Sequence, residues 1–198
     1  MKMTECKIAI TGGIGSGKSY VCALLKERGI DVYDCDSGAK RVIATSDVVR
    51  RKLTELIGPA TFDTDGRLNK AAVAEFLLAS ELNTKAINDI VHPAVADDFF
   101  ASGKQWMECA ILYESGFDRF VDVVVAVTAP VEVRIGRIMQ RDNISCDKAR
   151  EWISRQMPQE EVSSRANYEI INDGQHDVAR QIEDIINNIT KQKCYRQS

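Results

Sequence analysis

A glycine-rich run near the amino terminus has the residue types and spacing of a phosphate-binding loop. Residues 12–19 read GGIGSGKS and fit G-x-x-x-x-G-K-[ST] at every fixed position, between a predicted strand at residues 7–11 and a predicted helix. The glycines allow the backbone to turn its N–H groups toward phosphate oxygens, and the helix amino terminus adds positive potential. Lys18 is expected to reach the β- and γ-phosphates and Ser19 to hold Mg²⁺. The run therefore predicts a nucleoside triphosphate site rather than a glycine-rich turn that contains a lysine by chance.

Two aspartates, Asp34 and Asp36, follow the next predicted strand at residues 30–33. On an extended strand end, residues i and i+2 point to the same side, so both carboxylates could face one site. Beside a phosphate-binding loop, one of them is expected to act as a base or as a partner of Mg²⁺. The alternative is that one or both only cap the following helix, because Asp36 and Ser37 are good N-cap residues.

Three arginines, Arg134, Arg137 and Arg141, recur at intervals of three and four residues in one predicted helix. They form a narrow stripe that is offset from the apolar stripe of that helix. Arginines on a flexible lid suit phosphoryl transfer, because charge spreads over the equatorial oxygens of the transferred group. The alternative is a solvated face whose arginines pair with Glu132 and Asp142. The expected apolar stripe consists of Val131, Ile135, Ile138 and Met139.

Three further polar residues lie where predicted elements end or break. Glu114 follows a predicted strand at residues 106–113, where kinases of this architecture often bind substrate or metal-bound water; a carboxylate at a helix start is the alternative. His92 precedes Pro93, which is expected to interrupt a helix, and a buried structural histidine is favoured over a catalyst. Asn172 ends the last predicted strand and suits either a turn or a contact to a purine ring.

Predicted strands and helices alternate along the chain, which indicates a doubly wound parallel α/β sheet of about five strands. The run VVVAV lacks apolar–polar alternation, as expected for a central strand covered on both faces. A long helical segment at residues 37–103 is interpreted as an inserted cap. Ligands of such sheets bind at the carboxyl ends of the strands, where each polar cluster above is expected. The predicted strands are residues 7–11, 30–33, 106–113, 122–128 and 168–171, and the later helices are residues 131–142, 146–157 and 178–189.

The charge balance excludes several classes of protein. The 198 residues include 26 Lys and Arg against 29 Asp and Glu, for a formal charge of −3. Proteins that coat nucleic acid or acidic lipid are usually basic, so phosphate recognition is expected at a local site only. The longest uncharged apolar stretch, residues 123–131, is far shorter than the ~20 residues that span a bilayer. No signal segment precedes the glycine-rich run, so a cytoplasmic protein is expected.

The six cysteines are spread singly, with no C-x-x-C pair. Zinc ligands usually come as close pairs, and only His92 and His176 could join them, so a metal cage of His and Cys is not expected. We expect reduced thiols, most of them buried as small apolar side chains. The cysteines are Cys6, Cys22, Cys35, Cys109, Cys146 and Cys194.

Taken in order, these motifs resemble the dephospho-coenzyme A kinase family of P-loop kinases, and the resemblance covers nearly the whole chain. The phosphate-binding loop alone is shared by many enzymes, but the ordered set is specific. The set consists of TGGIGSGKS at residues 11–19, Asp34-Cys35-Asp36, His92-Pro93, Leu112-Tyr113-Glu114, Arg137, Arg141-Asp142, Gln156 and INDG at residues 171–174.

The resemblance implies transfer of the ATP γ-phosphate to the ribose 3′-hydroxyl of dephospho-coenzyme A, with Mg²⁺ as cofactor. It implies that Asp36 activates this hydroxyl, and that Lys18 and Arg141 stabilise the transferring group. Asn172 would lie near the adenine, and Mg²⁺ would be held by Ser19, with Asp36 as a second candidate. ATP contacts are expected at Gly13, Ile14, Gly15, Ser16, Gly17, Lys18, Ser19, Tyr20, Arg137 and Asn172, and acceptor contacts at Asp34, Asp36, His92, Leu112 and Glu114.

The same resemblance implies a single kinase domain, of the P-loop NTPase type, with three parts. The core would comprise residues 1–36, 104–130 and 160–198. Residues 37–103 would form the acceptor-binding cap and residues 131–159 the lid. ATP and dephospho-coenzyme A are the expected partners, with no nucleic acid, membrane or obligatory protein partner.

Three residues depart from the pattern of the family. Tyr20 stands where the family usually has threonine, Cys35 replaces a small alanine, and Ala110 replaces a common proline. None of these changes removes a charge or a phosphate ligand. The departure at Tyr20 affects the expected detail of α-phosphate contact rather than the expected activity.

Two other functions fit parts of the pattern. Another small P-loop kinase, for a nucleotide, nucleoside or shikimate-like acceptor, would share the loop and the fold, but Asp34-x-Asp36 and His92-Pro93 disfavour it. A GTPase-type switch would normally carry Asn-Lys-x-Asp after a strand. The Asn-Lys pair of this chain, Asn69-Lys70, continues into Ala-Ala and starts a predicted helix.

Overall fold

A computed structural model describes residues 6–195 of the chain, without the side chains of Glu81 and residues 192–195. The described chain divides into two compact units. The first comprises residues 6–32 and 105–195, and the second comprises residues 33–104. The predicted insertion at residues 37–103 falls within the second unit.

Five strands form one sheet in the order β2-β3-β1-β4-β5. The pairs β1–β3, β1–β4 and β4–β5 are parallel, with Ile10 opposite both Glu108 and Val125. The predicted parallel α/β sheet of five strands is confirmed. The strands are β1 (Ile8–Thr11), β2 (Val32–Asp34), β3 (Trp106–Glu108), β4 (Val123–Thr128) and β5 (Tyr168–Ile171).

Nine helices accompany these strands in the described part of the chain. Four lie in the second unit and five in the first, apart from two short 3-10 turns at Pro59–Thr61 and Phe117–Phe120. No described helix is long and apolar enough to cross a membrane. The helices are α1 (Lys18–Glu27), α2 (Cys35–Thr45), α3 (Asp47–Ile57), α4 (Lys70–Ala79), α5 (Glu81–Ala101), α6 (Val131–Asp142), α7 (Cys146–Ser154), α8 (Gln159–Arg165) and α9 (Val178–Tyr195).

The core of the first unit lies against the central strands. Apolar residues of α1 and α9 pack with the β1, β4 and β5 side chains, which fixes the start of α1 at the end of β1. A smaller cluster joins α6 to α7 through Ile135, Ile138 and Ala149. The larger cluster includes Ile8, Ile10, Val21, Leu25, Val125, Val127, Ile170, Ile182, Ile185 and Ile189.

The second unit is tied together by a buried phenol. The Tyr33 hydroxyl donates to Asp98 Oδ2 at 2.6 Å, and Arg41 donates to the same carboxylate. The ring of Phe99 packs at 5.3 Å from that of Tyr33, between centroids. Gly38 faces the phenol so closely that a β-carbon would lie 2.1 Å from its oxygen. These contacts hold α2 against α5.

Two sequence predictions about where strands end are wrong. The strand predicted at residues 106–113 ends at Glu108, because the chain then turns on itself, with the Phe117 N–H donating to the Leu112 carbonyl at 2.9 Å. Apolar residues in these turns are buried without extending the strand, as Leu112 is. Likewise β2 ends at Asp34, so Asp36 lies in a helix and not on an extended strand end.

Three helix predictions also need correction. The expected interruption at Pro93 does not occur, since α5 continues to Ala101 with buried Val91 and Val95 on either side of the proline. The helix predicted at residues 146–157 ends at Ser154. In α6 the expected apolar stripe is only half buried, because Val131 and Met139 are exposed whereas Arg134 is buried beside Ile135 and Ile138.

Candidate active site

The P-loop, residues 12–19, turns from the end of β1 into the first turn of α1. Gly12 adopts a φ of 141°, and a β-carbon there would lie 2.2 Å from the Val127 carbonyl oxygen. The backbone of the loop therefore passes directly against β4, which is possible only with glycine at this position. Gly17 caps α1 in the left-handed conformation, so the helix amino terminus faces the concave side of the loop.

Lys18 is held at the base of the P-loop by groups from two strands. Its Nζ donates to the Gly12 carbonyl at 2.8 Å and lies 3.7 Å from Glu108 Oε1. Glu108 is the last residue of β3, the strand beside β1. Sequence reasoning missed Glu108 because it lay inside the longer strand predicted there; a charge within an apolar run was the available signal.

The hydroxyl groups of the P-loop differ in their surroundings. Ser16 is fully buried, and its Oγ has no hydrogen-bond partner among the described residues. Ser19 is exposed in the first turn of α1, and Tyr20 is 53% exposed. A ligand in the loop would therefore meet an open hydroxyl at Ser19.

Arg137 and Asn172, both predicted to bind ATP, contact the P-loop from outside. Arg137 donates to the carbonyls of Gly15 and Ser16 at 3.3 and 3.2 Å, and to the Asn172 carbonyl at 3.0 Å. The side-chain amide of Asn172 donates to the Ser16 carbonyl at 2.9 Å, and Asn172 is buried. These bonds hold the carbonyls of Gly15 and Ser16 toward Arg137 and Asn172. The opposite side of these peptides is therefore left to a ligand.

Arg134 and Gln156 contact the same loop at Ile14, the residue before Gly15. Arg134 Nε donates to the Ile14 carbonyl at 2.9 Å, and the Ile14 N–H donates to Gln156 Oε1 at 2.7 Å. Burial lowers the pKa of the Arg134 guanidinium, against the opposing charge of Glu160. Neither contact was predicted: spacing placed Arg134 on a solvated face or a lid, and Gln156 entered only as part of the family pattern.

Arg141 lies apart from these contacts, at the end of α6. Its side chain is 60% exposed and pairs with Asp142, at 2.7 Å between Nη2 and Oδ2. The next residue, Asn143, turns the chain in the left-handed conformation with a φ of 52°. Glu132 pairs with Arg150 at 2.9 Å rather than with an arginine of α6.

Leu112 and Glu114 lie in the turns that follow β3. Leu112 is fully buried, whereas Glu114 Oε1 accepts the Met157 N–H at 3.2 Å. The neighbouring Tyr113 ring stacks with the Arg165 guanidinium at 3.9 Å, and burial raises the pKa of its phenol. Glu114 thus joins these turns to the segment that follows α7.

Asp34, Asp36 and His92 belong to the second unit. Asp34 is the N-cap of α2: Oδ1 accepts the N–H groups of Asp36 and Ser37 at 2.9 and 3.1 Å, and Oδ2 accepts the Ser37 hydroxyl at 2.8 Å. Burial raises the pKa of Asp34, but the hydrogen bonds from Ser37 and Asp36 outweigh it and leave the pKa below its ordinary value. Asp36 is exposed in the first turn of α2, and His92 is half-buried on α5.

Within residues 6–195, no group of three or more His, Cys, Asp or Glu side chains is placed to hold a metal ion. The five cysteines described, from Cys6 to Cys146, are thiols that form no disulfide, and Cys194 lies outside the described side chains. Mg²⁺ needs no such cage, because it is usually bound by one or two side-chain oxygens together with substrate phosphates and water. The open hydroxyl of Ser19 fits this kind of site.

Comparison with known proteins identifies the family to which this chain belongs. The model of one protein family, Dephospho-CoA kinase, matches residues 6–177. The chain belongs to the dephospho-CoA kinase family. A dephospho-CoA kinase of Bacteroides fragilis is 44% identical over 191 residues, which cover 91% of each chain. Members of this family are ATP-dependent kinases, and neither another small P-loop kinase nor a GTPase-type switch is favoured.

Two solved structures are similar to this chain over nearly its full length. A protein of Thermus thermophilus is 28% identical, with a TM-score of 0.78 and coverage of 96% of this chain and 98% of the other. A dephospho-CoA kinase from Campylobacter jejuni has a TM-score of 0.66 at 19% identity, covering 94% and 98%. At this identity, the similarity to the Campylobacter jejuni structure shows the fold alone. Both support the sheet and the helical arrangement described above.

Proposed function

We propose that this member of the family transfers the γ-phosphate of ATP to the ribose 3′-hydroxyl of dephospho-coenzyme A, giving ADP and coenzyme A. The observation that carries the proposal is a complete P-loop, with Lys18 bonded to the Gly12 carbonyl at its base, in a chain of this family. Another small-molecule acceptor would need the same loop, so acceptor identity is the point to be tested.

ATP binds, in this proposal, along the concave side of the P-loop. Residues 13–20 are assigned to its phosphates, and Arg137 and Asn172 complete the ATP site. Support comes from the outward-drawn carbonyls of Gly15 and Ser16, since a peptide whose carbonyl is held on one side presents its N–H on the other. Lys18 stabilises the charge of the transferring group.

Asp36 is proposed as the base that takes the proton of the acceptor hydroxyl. Both carboxylate oxygens of Asp34 already accept hydrogen bonds, which suits a positioning residue for the first turn of α2. Asp36 is exposed, and within residues 6–195 its carboxylate accepts no hydrogen bond. An unengaged carboxylate at this turn is the better candidate for proton transfer. Acceptor contacts are assigned to Asp34, His92, Leu112 and Glu114.

Residues 131–159 are proposed to act as the lid, with Arg141 as its catalytic cation. The exposed pair of Arg141 with Asp142 is of the kind that contributes little to stability, so a phosphate can replace Asp142 at small cost. Exclusion of water by a lid would prevent wasteful ATP hydrolysis. Residues 37–103 would hold the acceptor.

Magnesium is proposed as the cofactor, with Ser19 as its ligand from the chain and Asp36 as a second candidate. Bound with ATP, the ion supplies neutralisation of the phosphate charge. The chain's own part is to present the open Ser19 hydroxyl next to the amino terminus of α1. The enzyme would act in the cytoplasm on small molecules, with no nucleic acid, membrane or obligatory protein partner, in keeping with its formal charge of −3.

The reaction can be tested by identifying the product. Incubation with ATP, magnesium and dephospho-coenzyme A is expected to give coenzyme A with a 3′-phosphomonoester in phosphorus NMR. An acceptor that lacks the 3′-hydroxyl is the matched control and should release no ADP above background. Phosphate on another position, or equal ADP release from the control, would contradict the proposal.

A further inference from the structure

Ile14, in the middle of the P-loop, has both of its backbone polar groups bonded by distant side chains. Its N–H donates to Gln156 Oε1 at 2.7 Å, and its carbonyl accepts Arg134 Nε at 2.9 Å. Arg134 is in the first turn of α6, and Gln156 follows α7. The two side chains therefore bind one residue from the start of α6 and from just after α7. Together they satisfy its N–H and its carbonyl, as a neighbouring β-strand would.

Arg134 is an unusual residue for such a contact, because it is only 5% exposed. Among the described residues, its guanidinium makes one hydrogen bond, to Ile14, and no ion pair. A buried guanidinium with a single carbonyl partner carries a desolvation cost. Selection for stability alone would favour an apolar side chain here, which indicates that the guanidinium serves the loop that it contacts.

The loop sequence is fitted to this pair of side chains. A β-carbon on Gly13 would lie 2.3 Å from Arg134 Nη2 and 3.3 Å from Gln156 Oε1. A β-carbon on Gly15 would lie 2.8 Å from the Arg134 carbonyl oxygen. The glycines on either side of Ile14 thus make room for α6 and for Gln156.

We propose that Arg134 and Gln156 are positioning residues for the nucleotide, which act through Ile14. Together they form a two-point clamp that fixes the Gly13–Ile14–Gly15 turn before ATP arrives. The clamp deepens the proposed function and rests on it, since it assumes that ATP phosphates lie in this loop. Its effect is on nucleotide affinity, because a loop that is already ordered loses less conformational freedom on binding.

The expected loss of ADP affinity follows from the hydrogen bonds that each variant removes. A net contribution of about 1.4 kcal/mol per hydrogen bond corresponds to about tenfold in an equilibrium constant. Gln156→Ala and Arg134→Gln should each weaken ADP binding about tenfold. The double variant should fall clearly short of the product of the two effects, because both bonds order the same residue and releasing either one frees the turn.

The experiment measures ADP binding by calorimetry and the KM values for ATP and for dephospho-coenzyme A, together with thermal unfolding. Asn167→Ala is the matched control, since Asn167 Oδ1 accepts the Val124 N–H at 2.7 Å outside both the P-loop and the proposed lid. The clamp predicts weaker ADP binding and a raised KM for ATP in both test variants, an unchanged KM for dephospho-coenzyme A, and an unchanged ADP affinity in the control.

Wild-type ADP affinity in Gln156→Ala, or a loss equal to that of Asn167→Ala, would overturn the clamp, as would strictly multiplicative effects in the double variant. If Arg134→Gln does not fold, Gln156→Ala alone decides. The proposed function fails separately: a wild-type chain that binds ADP but leaves dephospho-coenzyme A unmodified would contradict that function and still allow the clamp to be tested. Absence of ADP binding to the wild type would overturn both.

Discussion

Lys18 and Glu108 form an ion pair at the base of the P-loop, with 3.7 Å between Nζ and Oε1. Their side chains are only 11% and 19% exposed, so the pair is shielded from bulk water. Glu108 ends β3 and Lys18 begins α1, so each belongs to a regular element of the fold. The position of Lys18, which we propose contacts the phosphates, is therefore fixed in part by a carboxylate of the neighbouring strand.

Replacement of Lys18 by alanine is expected to lower kcat by about 100-fold or more, because a preorganised cation at the transferring group is lost. ADP release with ATP and dephospho-coenzyme A measures the effect. Lys26→Ala, an exposed lysine of the same helix, is the control and should keep normal turnover. Near-normal turnover of a folded Lys18→Ala protein would remove the phosphate assignment.

Replacement of Glu108 by glutamine keeps the shape of the side chain and removes its charge. Lys18 then loses its carboxylate partner, and we expect kcat to fall about tenfold as the lysine becomes less well oriented. Steady-state kinetics at saturating ATP give the comparison, with the exposed Glu27→Gln as control. Turnover within twofold of wild type would show that the ion pair does not position Lys18.

Asp34 and Asp36 should separate into a structural and a chemical role. Asp36→Asn is expected to lower kcat by about 100-fold or more with an unchanged melting temperature, since a general base contributes at least this much. Asp34→Ala should cost about 1 kcal/mol of stability through loss of the N-cap of α2. Melting curves and ADP release together decide; a destabilised Asp36→Asn with full activity would reverse the assignment.

The Tyr33–Asp98 hydrogen bond predicts how stability depends on alkaline pH. Burial and the bond to Asp98 raise the pKa of the Tyr33 phenol well above its ordinary value of 10. The unfolded chain therefore loses this proton before the folded protein does, and stability should fall as pH rises above 10. Urea unfolding between pH 8 and 11 measures the slope.

Tyr33→Phe is the control for this dependence, because it removes the titrating group and keeps the ring. Its stability should be lower at pH 8, where the hydrogen bond is lost, and should change less between pH 8 and 11. An equally steep decline in wild type and variant would assign the alkaline loss to other groups.

The parts of this protein that local rules govern were predictable from sequence. The P-loop was identified because its glycines, lysine and serine have a fixed spacing. The sheet followed from short apolar runs such as VVVAV in β4, in which the last four residues are buried as expected. N-caps are local as well: capping of the following helix by one or both aspartates was an alternative drawn from the sequence, and Asp34 is the N-cap of α2.

The rest depended on contacts between residues far apart in the chain. Arg134 and Ile14 are 120 residues apart, and helical periodicity alone does not show that an arginine will be buried against a loop carbonyl. The same holds for Glu108, whose role depends on where β3 ends. Pro93 was expected to break a helix, but packing of Val91 and Val95 holds α5 through it.

ADP release with dephospho-coenzyme A, beside AMP, CMP, adenosine, shikimate and no acceptor, tests the central claim most directly. We predict fast release with dephospho-coenzyme A only, and release without acceptor that is lower by orders of magnitude. A clear preference for any of the other four acceptors, or equal release with no acceptor, would contradict the proposed reaction.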